Sequence, residues 1–259
     1  MKLFLRETLL NRFFLLTWAL LLCHVAFSQE SAALTELTVD RPGIADTPFT
    51  VPKGMYQFEF GFDYFRRPTG ELYNLPTAQF RAGISSQIEV RLASKNVVDN
   101  TDVTTFLSVA PITAGIKMHV LKQRKGLPET DIMANIVVPV NPVAGQSKNT
   151  GYEFLLLFQN DFYPNSAINY NVGYIWDSFR GKSVFTGSFC YNYLPTRRVG
   201  LFIEYFGYVL DEWPGENGID GGMTYLVVDW LQLDLSTGVS RIKEQNVFFA
   251  STGVSVRFK

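Results

Sequence analysis

The chain has 259 residues and a formal net charge of -1, with 47% hydrophobic, 15% aromatic and only 18% charged residues. This composition is too apolar for a disordered chain and too lightly charged for an ordinary soluble surface, and it carries no electrostatic footprint for nucleic acid. Beyond the first segment, no stretch stays apolar for the roughly 20 residues a membrane-spanning helix needs.

In chain order, Lys2, Arg6 and Arg12 make a positive start, Phe13 to Leu22 form a short apolar run, and Ala26-Phe27-Ser28 offers small residues to a signal peptidase. Residues 1–28 are therefore expected to be a cleavable signal peptide. The run is too short for a retained anchor, and Leu22 before Cys23 is wrong for lipidation. After cleavage Cys190 is the only cysteine, so an exported protein must be stabilised without an intramolecular disulfide. Residues 29–54 come next. Pro42, Pro48 and Pro52 keep this segment from becoming a central strand.

From Met55 onward a two-residue alternation replaces any helical period. Tyr56, Phe58, Phe60, Phe62 and Tyr64 share one face, against Gln57, Glu59, Gly61 and Asp63. Leu231, Leu233, Leu235 and Val239 likewise oppose Gln232, Asp234, Ser236 and Gly238. Strands are expected near 55–65, 74–84, 88–97, 111–120, 131–140, 152–160, 167–177, 183–193, 199–209, 219–228, 231–241 and 246–258. Alternate short and long connections fit a barrel with tight periplasmic turns and longer outer loops, the long ones at 98–110, 141–151 and 210–218. Tyr64, Phe65, Trp176, Tyr191, Tyr193, Trp213 and Trp230 fall near strand ends, where aromatic rings suit a lipid headgroup boundary. The expected fold is all-β: residues 55–259 form a single transmembrane antiparallel up-and-down barrel of about 12 strands with both ends in the periplasm. A soluble sandwich could bury the same apolar faces, but its opposite faces need not be so uniformly polar.

Several stretches are too specific for generic strands. These are Asp40-Arg41-Pro42-Gly43, Pro48-Phe49-Thr50-Val51-Pro52-Lys53-Gly54, Gln57-Phe58-Glu59 with Gly61-Phe62, and Pro76 with Arg81. Others are Ile88-Glu89-Val90-Arg91, Gln159-Asn160-Asp161, Asn217-Gly218, Asp220-Gly221-Gly222 and Leu231-Gln232-Leu233-Asp234. Together they resemble the outer-membrane transporter family of the MetA pathway of phenol degradation over nearly the whole mature chain. The resemblance implies passage of aromatic or other small hydrophobic compounds across the outer membrane.

Strand parity proposes Glu59, Asp63, Arg81, Glu89, Arg91, Lys117, Glu204, Asp234 and Arg257 as lumen-lining groups. Charges of both signs can line a water path, or they can pair across the interior and hold it shut. Glu89 with Arg91 and Glu59 with Arg81 are the expected structural pairs. The 29–54 segment is expected to cap the barrel base as an ordered periplasmic lead-in, with a small inward plug as the alternative. Under either reading Asp40 and Arg41 can pair with lumen charges, and in a plug they would be gating residues. His119 is the only histidine after cleavage, and no Gly-x-Ser-x-Gly turn accompanies it, so a barrel lipid-modifying enzyme is disfavoured. No metal site or cofactor is expected, because Asp220-Gly221-Gly222 lacks the alternating ligands of a calcium loop and reads as a turn or barrel bend. The expected partners are outer-membrane lipid, a small solute, and the export and barrel-assembly machinery. The alternative to a channel is a structural or adhesin-type barrel.

Overall fold

The computed structural model describes residues 37–259 except 102–103, 110, 141–148, 178–180 and 211–212, so the expected signal peptide lies outside the described residues. The strands are β1 (Tyr56–Arg67), β2 (Gly70–Gly83), β3 (Ile88–Thr101), β4 (Thr105–Val109), β5 (Ile112–Leu121), β6 (Glu129–Val138), β7 (Gly151–Tyr163), β8 (Ser166–Asp177), β9 (Lys182–Tyr193), β10 (Val199–Leu210), β11 (Trp213–Val228), β12 (Leu231–Ile242) and β13 (Gln245–Phe258). All pair antiparallel with their ring neighbours. Because β1 bonds both β2 and β13, the sheet closes on itself. Closure gives the ring partners on both sides without disulfides, as a lipid environment demands, while the short β4 pairs only with β3 among the described residues.

The ring has twelve positions although thirteen strands are present. Strand β5 pairs with Ile88–Ala93 of β3, and β4 pairs with Asn96–Asn100 of the same strand, so β4 and β5 are two halves of one position. Pro111, which has no N–H for a ladder, stands at the break.

Two of the expected outer loops are largely strand. β3 continues to Thr101 against β4, and β11 begins at Trp213, paired with Leu210. Polar stretches such as Asp99 to Thr101 read as loop because beyond the lipid both faces of a strand can be polar, and the alternation that marks a half-buried strand lapses there. Gly221 and Gly222 lie within β11, inside the expected strand 219–228 and not at a turn between strands, and Gly222 leaves room for the Phe202 ring, 2.6 Å from where a Cβ would stand.

The outward parity leaves Phe60, Ile116, Phe154, Val172, Ile203 and Leu235 exposed, an apolar belt too continuous for water and suited to lipid. The Tyr64 and Tyr73 rings meet at a tilt, with centroids 5.3 Å apart, and the Tyr64 hydroxyl donates to Glu71 at 2.7 Å. Phe65, expected at the lipid boundary, shares the parity of Asp63 and lines an interior cavity instead. A cation in the belt would have to leave lipid or distort it. Leu235→Lys, near the middle of β12, should destabilise the barrel by about 2–4 kcal/mol in bilayers, measured by urea-induced unfolding.

Candidate functional site: a plugged lumen

Residues 37–54 run inside the ring, threaded into the lumen from the rim where the strands begin and end, instead of capping the base. The segment enters over Gly83. Gly54 N–H donates to Gly83 O at 2.8 Å, and Gly83 N–H donates to Met55 O at 3.0 Å. A Cβ at Gly83 would stand 2.2 Å from Pro52 O and 2.3 Å from Val51 O, so glycine is what lets the two backbones cross. Val51 and Pro48 are fully buried, which gives the segment a small apolar root.

Above that root the segment binds the wall through Asp40. Its Oδ2 lies 3.1 Å from Arg81 Nη1, 3.1 Å from Arg91 Nη2 and 2.9 Å from Lys117 Nζ. Oδ1 accepts the Thr47 N–H at 2.9 Å and its hydroxyl at 2.8 Å. Burial alone would raise this carboxyl. The charges of Arg81, Lys117 and Arg91, with the Thr47 N–H, outweigh burial and hold it well below the usual carboxylate range. Asp46, 3.1 Å from Arg91, is raised instead, because burial exceeds what that one guanidinium returns.

The cations on the wall are themselves buttressed. Arg81 forks onto Glu89, with Nε to Oε1 at 2.8 Å and Nη2 to Oε2 at 2.9 Å, and also meets Glu59 at 2.9 Å. Glu89 also meets Arg91, the partner expected from the sequence, at 3.7 Å, while the register sets Glu89 opposite Gly83 and leaves it open to the closer fork from Arg81. Glu89 also accepts the Val51 N–H at 2.7 Å. Arg257 donates to Gln57 at 2.9 Å and to the Thr38 hydroxyl at 3.2 Å, so the base of the segment is tied to the seam between β1 and β13.

Arg41 reaches the adjoining wall formed by β2, β1, β13 and β12. Its guanidinium lies 3.3 Å from Asp234 and 3.8 Å from Asp63, and it donates to Ser251 at 2.7 Å and Thr77 at 3.2 Å. Gly61 and Gly253, paired in register, make the recess. A Cβ at Gly61 would fall 2.2 Å from that guanidinium. At the tip, Glu204 accepts the Ile44 N–H at 2.7 Å and the Ala45 N–H at 2.6 Å. The segment is therefore bound to strands all around the ring, and each bond is reversible.

Beyond the tip, toward the rim opposite the chain ends, a cavity of about 730 Å³ opens. Its floor includes Arg41 and Ile44, and its wall includes Lys95, Glu153, Tyr208 and Glu216. Phe65, Phe249, Phe206 and Tyr208 form a continuous aromatic strip, with successive centroids 6.0, 6.1 and 6.2 Å apart. The strip lies over Gly218 and Gly238, where a Cβ would come 2.5 Å from Phe206 Cζ and from Phe249 Cζ respectively.

All nine proposed lumen residues point inward, and eight of them contact the plug. The plug has further wall and backbone contacts that sequence reasoning missed, including those of Thr38, Asp46, Thr47 and Asn171. The cavity residues Lys95, Glu153 and Tyr208 fell within expected strands at inward parity, whereas Glu216 fell in an expected loop. His119 lies apart from the plug. Its Nδ1 is 2.8 Å from Asp131 and its Nε2 is 3.6 Å from Glu129.

An apolar belt outside and a polar, internally plugged lumen within a closed twelve-position ring define a transmembrane β-barrel of the outer-membrane class. The chain belongs to the family described as "Putative MetA-pathway of phenol degradation", whose model matches residues 39–258. Its fold is similar to that of an outer-membrane channel from Pseudomonas putida F1, at 9% identity and a TM-score of 0.61, covering 84% of this chain and 99% of that one. It is also similar to the NanC porin, at 9% identity and a TM-score of 0.56, covering 76% and 98% of the two chains. At such identity the likeness is one of fold. No curated protein matches the chain's sequence.

Proposed function

We propose that this protein is a passive outer-membrane channel for small, partly apolar solutes, with residues 37–54 as a resident plug that sets how often the path is open. The observation that carries this reading is the construction of the lumen: a separate chain segment, bonded to the wall by ion pairs and hydrogen bonds, stands beneath an open cavity. Barrels of about eight strands fill with side chains of their own wall, whereas a ring of twelve positions encloses a wider lumen, which here is occupied by this segment. The channel and porin folds it resembles support the same reading, as does the family's description.

In this reading Arg81, Glu89 and Lys117 of the wall hold the plug, Glu59 buttresses Arg81, and Asp40 and Arg41 are the plug's latches. No cofactor takes part. Movement of solute follows its gradient, and nothing in the site calls for bond-making chemistry. The partners are outer-membrane lipid around the belt, and the export and assembly machinery that would deliver a chain whose residues 1–28 read as a signal peptide.

Reconstitution tests the proposal. Purified protein in a planar bilayer should give small, reproducible current steps, and proteoliposomes should admit small solutes such as phenol faster than protein-free liposomes. Silent bilayers together with liposomes no leakier than controls would refute it.

A further inference from the structure

The cavity above the plug carries an imbalance of charge. Two cations reach it, Arg41 and Lys95. Arg41 is shared between Asp63 and Asp234, and Asp63 is also the carboxylate whose field acts on Lys95. Those two cations and two carboxylates cancel. Glu153 and Glu216, which line the same cavity, have no cation within salt-bridge reach among the described residues. Glu153 accepts one neutral hydrogen bond, from Asn135 at 3.0 Å.

The surroundings of these two carboxylates are specific. Glu216 pairs in register with Tyr208, the end of the aromatic strip, and Tyr208 and Glu153 border the same spaces. Ser236 also lines the cavity. It is 98% buried on the complement of its 2% exposure, and its hydroxyl has no hydrogen-bond partner. A buried hydroxyl left unmade costs free energy that a ligand donor or acceptor would recover.

We infer that this vestibule binds small amphipathic cations, an ammonium head with an apolar body. The head sits between Glu153 and Glu216, and the body lies along Phe206 and Phe249. An ammonium donates to carboxylates, and it is attracted to aromatic faces. A carboxylate head of the same size would meet two uncompensated negative charges in a confined space, where screening is weaker than in open solvent. The inference rests on the channel reading for its biological sense, because it assigns a head-group charge to the solutes such a channel would admit.

Equilibrium binding tests it without requiring conduction. Octylammonium, octanoate and octanol would be titrated calorimetrically into the full barrel in lipid nanodiscs. Octylammonium should bind tightest, and Glu153→Gln with Glu216→Gln should weaken it by about tenfold or more while leaving octanol unchanged. Lys95→Gln should strengthen octylammonium binding. Heat-dependent gel migration identifies any variant that has not folded, and the single substitutions then stand in for the double one. Octanoate binding as tightly as octylammonium, or a folded double variant with unchanged affinity, would overturn the inference. Silent bilayers with binding intact would instead sink the channel reading alone.

Discussion

Asp40→Asn is expected to turn brief openings into sustained current and to destabilise the plugged barrel by about 3–5 kcal/mol, the cost of breaking a buried ion pair from one side. The side chain keeps its shape but loses its charge. Among the described residues Lys117 then has no carboxylate within salt-bridge reach, because Asp40 is the only one of them paired with it. Arg81 keeps Glu59 and Glu89, and Arg91 keeps Asp46, so the damage centres on the plug and not on the wall. Open probability in planar bilayers and urea-induced unfolding read the two effects separately. The pH dependence follows from the same contacts. A carboxyl held low stabilises docking at every pH above its ordinary value of about 4, and that contribution fades only as pH falls through the depressed value. Asp46, raised by burial, contributes in the opposite sense: its share is present at low pH and is lost as pH rises through its raised value. Wild type at about pH 5 should therefore keep the Asp40 latch that the asparagine variant lacks at any pH.

Gly83→Ala should act at the root of the plug. The new Cβ would overlap two backbone carbonyls, Pro52 O and Val51 O, and neither can rotate away as a side-chain tip could. Overpacking of this kind costs about 1–3 kcal/mol when the fold can shift to relieve it. Here the shift would carry Val51 N–H off Glu89 and weaken the parallel bridge between Lys53 and Gly83. The variant should unfold at lower urea than wild type and conduct more. Gly61→Ala makes a useful contrast, since its Cβ meets only the end of a flexible arginine. It should displace Arg41 with a smaller loss of stability.

The barrel was legible because its physical demand is repeated in every strand. Lipid on one side and water on the other impose alternation, so Tyr56 to Tyr64 and Leu231 to Val239 announced their faces without any partner being known. The count of twelve ring positions followed from that pattern. What failed lay where the demand lapses: β3 past Val97 and β11 before Ile219 extend beyond the lipid, and there cross-strand pairing alone makes the strand. Parity also proposed the wall charges, but it could not say what they bind. Asp40 meets Arg81, Arg91 and Lys117 only because a proline-rich segment far from them in sequence is threaded through the ring, and no local pattern encodes that path. The glycines were the overlooked signal. Gly61, Gly83, Gly218, Gly238 and Gly253 all face inward, where each leaves space for the plug or for an aromatic ring. Only their common parity, compared across strands, would have shown this.

Cysteine accessibility tests the central claim, a plug whose tip faces the outer vestibule of an outer-membrane barrel. Ile44 is 41% exposed and forms part of the cavity floor, whereas the native Cys190 is buried and is replaced by serine for the experiment. Ile44→Cys in intact cells should react with a membrane-impermeant maleimide added outside, and Val51→Cys, at the buried root, should not. Labelling of position 44 only after the cells are lysed, or equal labelling of both positions from outside, would contradict the account.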